Sequence, residues 1–205
     1  MINSFTISRR KQAGITLVET AIALAIAAVV VSAAFAGFQA NARRSEVRDN
    51  SQLISEMIAD TKQLFGPSNR FSVLDTTKAM AARVIPTNMH SGSNAFNSYG
   101  GAVQIAGGTG VGSATDANDQ AKLVFSDVPR NQCADLALSV ERNLTGMLIV
   151  PSGTTTGIDS TTSEASTAAK TNGADPGDVV QKVTEQCVAA STTGKYDLHL
   201  FFARN

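Results

Sequence analysis

The feature that most constrains this chain is the segment RRKQAGITLVETAIALAIAAVVV, residues 9–31. Three cations (Arg9, Arg10 and Lys11) and a Gly precede an apolar run that carries one acid, Glu19. From Ile15 to Phe38 there are 24 residues, and Glu19 is the only ionisable side chain among them. A helix of that length reaches roughly 36 Å, against about 30 Å for the hydrocarbon core of a bilayer. Such a rod cannot stand bare in water; it needs lipid or other rods.

Two ordinary readings of this segment leave something over. A cleavable secretory signal has a basic start and a small-residue site, and AFA at Ala34–Ala36 supplies one. Its apolar region, however, is usually only about 7–15 residues long and carries no acid. A plain single-span anchor leaves Glu19 unexplained, because a carboxylate in a membrane costs several kcal/mol and calls for a partner.

The stretch GITLVE resembles the processing site of type IV prepilins. That resemblance implies cleavage between Gly14 and Ile15 by a prepilin peptidase and N-methylation of Ile15. Glu19 then becomes the fifth residue of the mature chain, where the family nearly always has Glu. Cleavage also creates a partner for the acid, the Ile15 α-ammonium of a neighbouring subunit. The pair would set axial register as buried polar groups do in coiled coils. VIPTNMHSGSNAFNSYGGAVQIA, residues 84–106, is similar to a type IVb segment in which a Pro-containing loop leads to an aromatic–Gly–Gly turn and a strand. VPRNQC is similar to the start of that family's disulfide-bounded region. The mature length of 191 residues (205 less 14) suits the b subclass. Ile15 stands where the family often has Met, Leu or Val.

The organisation that follows has a basic leader at 1–14, cleaved, and a transmembrane or filament-core helix at 15–38. A periplasmic or extracellular head at 39–205 includes the amphipathic half of the helix, and 133–187 forms a disulfide-bounded variable region. Beyond Phe38 no Pro or Gly occurs before Gly66. Val47, Ile54 and Thr61 recur at sevens, as do Asn50, Met57 and Leu64, with Leu53, Ile58 and Phe65 widening the stripe. This face is expected to lie on a sheet rather than to form a coiled-coil stalk. Gly66-Pro67 should end the helix, Gly in a left-handed conformation and Pro as a breaker. A helix over about 15–65 would be roughly 75 Å long. Arg43, Arg44 and Arg48 read as a solvated face offset by Glu46 and Asp49.

In the head, DTTKAMAARVIP reads as a short helix capped by Asp75 or a Thr. GGAVQIAGG, AKLVFSDV, GMLIVP and KYDLHLFFARN read as strands, the last with Tyr196, Leu198, Leu200 and Phe202 on one face. PRNQCADLALSVERNLTG reads as a helix with Cys133, Leu136, Val140 and Leu144 on one side, ended by Gly146. GDVVQKVTEQCVAA reads as a helix capped by Asp178. SGTTTGIDSTTSEASTAAKTNGAD, residues 152–175, reads as a loop whose one anchor is Ile158, or as an outward-facing variable patch. The fold class expected is α+β, the lollipop of the pilin family: a long helix packed on an antiparallel sheet head.

A head exported beyond the inner membrane enters oxidising space, so Cys133 and Cys187 are expected to bond. The loop of 54 residues would be worth about 4 kcal/mol in the chain-entropy model. His199 alternates with apolar residues and reads as structural; Asn143 opens an NLT sequon with no expected role in bacterial export. GGTGVG at Gly107–Gly112 lacks the Lys of a phosphate loop. No catalytic or metal constellation emerges, so neither an enzyme nor a cofactor is expected. Lys and Arg number 17, as do Asp and Glu; without the three leader cations, 14 face 17, a formal charge of −3. That balance excludes a nucleic-acid footprint.

The resemblance implies a filament subunit partnered by copies of itself. It also implies the prepilin peptidase, an inner-membrane assembly platform, an outer-membrane secretin and, before assembly, membrane lipid. The precursor would reside in the bacterial inner membrane and the product in a surface filament serving adhesion, aggregation or conjugative contact. The alternatives are a pseudopilin of a type II secretion system and a soluble secreted binding protein cut after Ala36.

Overall fold

The computed structural model describes residues 16–107, 120–153, 168–171 and 174–203. The chain divides into two units, 1–43 and 44–205. Helix α1 (Leu17–Phe65) contributes its residues up to Arg43 to the first unit and the rest to the second. In the second unit α1 buries Asn50, Ile54, Met57, Ile58 and Thr61, steps of three and four that keep one face inward. Val47, Leu53 and Phe65 pack beside them, but Leu64 stays 45% exposed, so the second series of sevens loses its third member. The Thr61 hydroxyl donates to the Met57 carbonyl at 2.6 Å, which satisfies it inside the core.

Gly66 does not take the left-handed conformation expected of it. It is right-handed (φ −62°, ψ −47°) and its N–H donates to the Lys62 carbonyl, completing the last turn. The chain then tightens into a 3₁₀ helix, Pro67–Val73, with Pro67 at the first position, where its missing N–H costs nothing. Helix α2 (Thr76–Ala81) is capped by Asp75, which accepts the Lys78 N–H at 2.7 Å.

Among the described residues the sheet has six antiparallel strands: β1 (His90–Ser91), β2 (Asn94–Phe96), β3 (Ala102–Gly107), β4 (Gln120–Pro129), β5 (Gly146–Pro151) and β6 (Lys195–Ala203), in the order β1-β2-β3-β4-β6-β5. One face presents Leu123, Phe125, Met147, Ile149, Leu198, Leu200 and Phe202 to a core shared with Ile54, Met57 and Ile58. Phe71 stands edge-on to Phe202 at 6.0 Å between ring centroids. Two glycines permit close approaches. A Cβ at Gly107 would lie 1.5 Å from the Phe71 carbonyl oxygen, and one at Gly101 would lie 2.0 Å from that of Ser126.

Helix α3 (Arg130–Val140) buries Cys133, Leu136, Ala137 and Val140, then narrows to a 3₁₀ turn at Glu141–Asn143. Gly146, expected to end this helix, instead opens β5; Leu144 has already turned extended (φ −109°, ψ 143°). Helix α4 (Pro176–Val188) is capped by Asp175 rather than Asp178. Asp175 accepts the Gly177 N–H at 2.8 Å with Pro176 just inside the helix, and Asp178 falls in the first turn. Within 152–175, residues 154–167 and 172–173 lie outside the described residues, Ile158 among them. Among the described residues of this stretch, Ala168 and Ala169 are buried, and Lys170 bridges to Met147 and pairs with Glu141.

Candidate assembly site

The first unit is helical from Leu17. Thr16 caps it, its hydroxyl oxygen accepting the Glu19 N–H at 3.3 Å, and the Thr20 N–H donates to the Thr16 carbonyl at 3.1 Å. Glu19 thus occupies the third helical position, in the T-x-x-E spacing of a capping box, with its carboxylate in the first turn where the helix dipole favours it. This local role was missed in reading the sequence; the spacing of Thr16 and Glu19 is the signal that reveals it.

Farther along, the polar groups turn inward upon the helix. Thr20 donates to the Leu17 carbonyl at 2.9 Å and Ser32 to the Ala28 carbonyl at 2.7 Å. With those hydroxyls satisfied, the surface presented is hydrocarbon. Leu17 is 89% exposed, Leu24 71% and Phe38 71%. The best 18-residue window of this helix has a mean hydropathy of 2.5, and none of it is buried. By length and composition this is a helix able to cross a membrane. Glu19 and the arginines Arg43, Arg44 and Arg48 are exposed. Gly14 and Ile15, and the whole 1–14 leader, lie outside the described residues.

In the second unit, three devices fix the surroundings of α1. The first is a polar bridge. Gln132 of α3 donates to the Glu46 carboxylate at 2.9 Å and accepts the Tyr99 hydroxyl, while Asn50 donates to the Ser98 hydroxyl at 2.9 Å. Burial, with the Glu46 charge adding, pushes the Tyr99 phenol up to about 12, which keeps it a proton donor. The second is the Tyr99-Gly100-Gly101 turn. Gly100 sits at φ +81°, and Asn97 accepts the Tyr99 and Gly101 N–H groups at 2.9 and 3.0 Å. The third is a disulfide between Cys133 and Cys187, with Cα atoms 5.8 Å apart, which ties α3 to α4.

His199 lies where the sequence placed it, on β6 and facing away from the main core. It is buried, and its Nδ1 has no hydrogen-bond partner. Lys122 on β4 is buried on the same face, its Nζ 5.4 Å from the Phe201 ring centroid. The Asn143 side chain donates to Ser55 at 3.2 Å. Among the described residues no group of three or more His, Cys, Asp or Glu side chains gathers as a metal site.

Residues 44–184 match the family described as PilS N terminal, and residues 9–35 match the prokaryotic N-terminal methylation motif. Among solved structures the chain is similar to TcpA, a type IV pilin from Vibrio cholerae El Tor biotype. That match has a TM-score of 0.50 and 15% identity, and covers 78% of this chain and 99% of the other. It is also similar to the type IV b pilin from Salmonella typhi, with a TM-score of 0.45, 16% identity and coverage of 78% and 99%. No curated protein sequence matches the chain. The first of these structures shares the fold.

Proposed function

The chain belongs to the PilS N-terminal family of type IV pilins, and from that premise we propose how its N-terminal segment is processed and put to use. It is a structural subunit of a type IVb-like pilus, and its activity is assembly rather than catalysis. The precursor lies in the inner membrane with Arg9, Arg10 and Lys11 on the cytoplasmic side, in keeping with the positive-inside preference. A prepilin peptidase cuts between Gly14 and Ile15 and the new Ile15 amine is methylated. An inner-membrane platform then extracts subunits into a filament that leaves through an outer-membrane secretin. There the filament serves adhesion, aggregation or conjugative contact.

The observation that carries this reading is the bare hydrocarbon surface of α1 from Leu17 to Phe38. Lipid covers it before assembly, and the same segment of neighbouring subunits covers it afterwards. In the filament the Glu19 carboxylate pairs with the Ile15 ammonium of a neighbour, a contact that fixes stagger because neither charge is stable alone in hydrocarbon. Intact-mass and N-terminal peptide analysis of sheared surface filaments tests the processing step. The expected mature chain begins at Ile15 and carries one added methyl on its amine. A chain beginning at Gly37, or filaments built from chains that retain Met1, would overturn it.

A further inference from the structure

The edge of the sheet carries a recess that assembly does not explain. Strand β3 has two short partners on its outer side. Strand β2 pairs with it at Ala95↔Val103 and Phe96↔Ala102, while the residue before α2 bridges it at Asp75↔Ala106. Thr76 fixes the second partner, donating its hydroxyl to the Ile105 carbonyl at 3.2 Å and accepting the Ile105 N–H at 3.0 Å. Beside this junction is an open cavity of about 570 Å³, lined in part by Thr76 and Thr77, by Ser93, Asn94 and Phe96, and by Gln104 of β3.

The chemistry of that lining is specific. No charged side chain lines the cavity among the described residues; hydroxyls and carboxamides surround one aromatic ring. Phe96 is 40% exposed although it stands in a strand, and its register partner Ala102 brings only a methyl group, which leaves part of the ring open to solvent. Ser93, Asn94, Thr77 and Gln104 are likewise exposed. A charged ligand would find no counter-charge here, and a wholly apolar one would strip water from the carboxamides without replacing its hydrogen bonds. What satisfies both halves is a molecule with a C–H face and a rim of neutral hydroxyls. The volume falls within the range of small-molecule sites, about 300–1,000 Å³, and suits two or three sugar rings.

We propose that this recess binds a neutral saccharide. One pyranose lays its C–H face against Phe96, and the Asn94 and Gln104 carboxamides, with the Thr77 and Ser93 hydroxyls, pair with the sugar hydroxyls. The site depends on the head alone, so it holds whether or not the N-terminal segment is processed as described above.

The test is saturation-transfer difference NMR on the full chain in a phosphocholine detergent, which carries no sugar, with lactose, cellobiose and chitobiose as probes. Transfer to the ring C–H protons of at least one of them is expected. Phe96→Ala should weaken that binding about tenfold or more. Gln104→Ala should weaken it less, and Val180→Ala on α4 should leave it unchanged. Phe96 lies outside the buried core, so the melting temperature of Phe96→Ala should match that of the parent and separate lost binding from lost fold. No transfer from any of the three sugars would overturn the proposal. So would transfer that survives Phe96→Ala undiminished, or a preference for sialyllactose over lactose.

Discussion

At the scale of single residues, the least expected feature is a histidine and a lysine buried together on one side of the sheet. Alternation along β6 puts His199 on the face opposite Leu198 and Leu200, and there it is buried all the same, with 1% of its surface exposed. What alternation does not disclose is that Lys122 on the neighbouring strand is wholly buried too. Burial, with the Lys122 charge adding, pushes the His199 imidazole down to about 3 from its ordinary 6.5. The folded state therefore holds His199 neutral where the unfolded chain would protonate it. Stability from this group is complete above pH 6.5 and is lost as the pH falls towards 3. By pH 5 the loss is on the order of 2 kcal/mol. Asp75 contributes in a different window. The backbone N–H and then the ammonium of Lys78 hold its carboxyl below the ordinary 3.8, so its contribution disappears only under more acid conditions. Thermal melts of the full chain in detergent should show the wild type losing stability between pH 6.5 and 4.5, and His199→Leu nearly flat over that range. Parallel curves would remove His199 from the acid response.

At the scale of elements, the disulfide is the strongest single constraint. It joins α3 to α4 across a separation of 54 residues and encloses β5, beside the burial of Val179 and Val183 and the Ile149 N–H donated to the Gln186 side chain. Replacing Cys133 and Cys187 by Ser together should cost roughly 4 kcal/mol in the folded head. Urea unfolding of reduced and oxidised wild type beside the double variant measures this; equal midpoints would show that packing alone fixes α4. Elements of this kind were legible where one periodicity dominates. The β6 face, the β5 run and the α1 stripe all follow from side chains that can be buried in only one conformation. Boundaries were less legible, because a terminus depends on which of several adjacent groups reaches an N–H. Asp175 outcompetes Asp178 since Pro176 starts the helix between them, and Gly66 stays right-handed because a 3₁₀ turn follows. Strands β1 and β2 escaped notice since two and three residues are too few to show alternation.

At the scale of the whole molecule, the segment proposed for assembly stands out in the sequence because one acid interrupts an apolar run. The structure adds a competing local account of the same residue, as the third position of a helix capped by Thr16. A single substitution separates the two. Glutamine is accepted at the third position of a capping box as readily as glutamate, so Glu19→Gln keeps the start of the helix and gives up at most about 1 kcal/mol of dipole interaction. What it cannot do is neutralise an ammonium. If Glu19 serves only its own helix, removing the charge eases residence in lipid and leaves filaments as abundant as before. If Glu19 meets the Ile15 amine of a neighbour, Gln leaves that cation uncompensated between apolar helices, a loss of about 3–5 kcal/mol at every subunit contact. The expected outcome is a subunit that is cleaved, oxidised at Cys133–Cys187 and retained in the inner membrane, with surface filaments reduced to a small fraction of normal. Mixed with wild type, the variant should enter filaments poorly, because the pair joins different chains. Counting filaments by electron microscopy beside a non-reducing gel of the membrane fraction reads both quantities, and normal filament numbers from Glu19→Gln subunits alone would leave the capping role as the whole explanation of the acid.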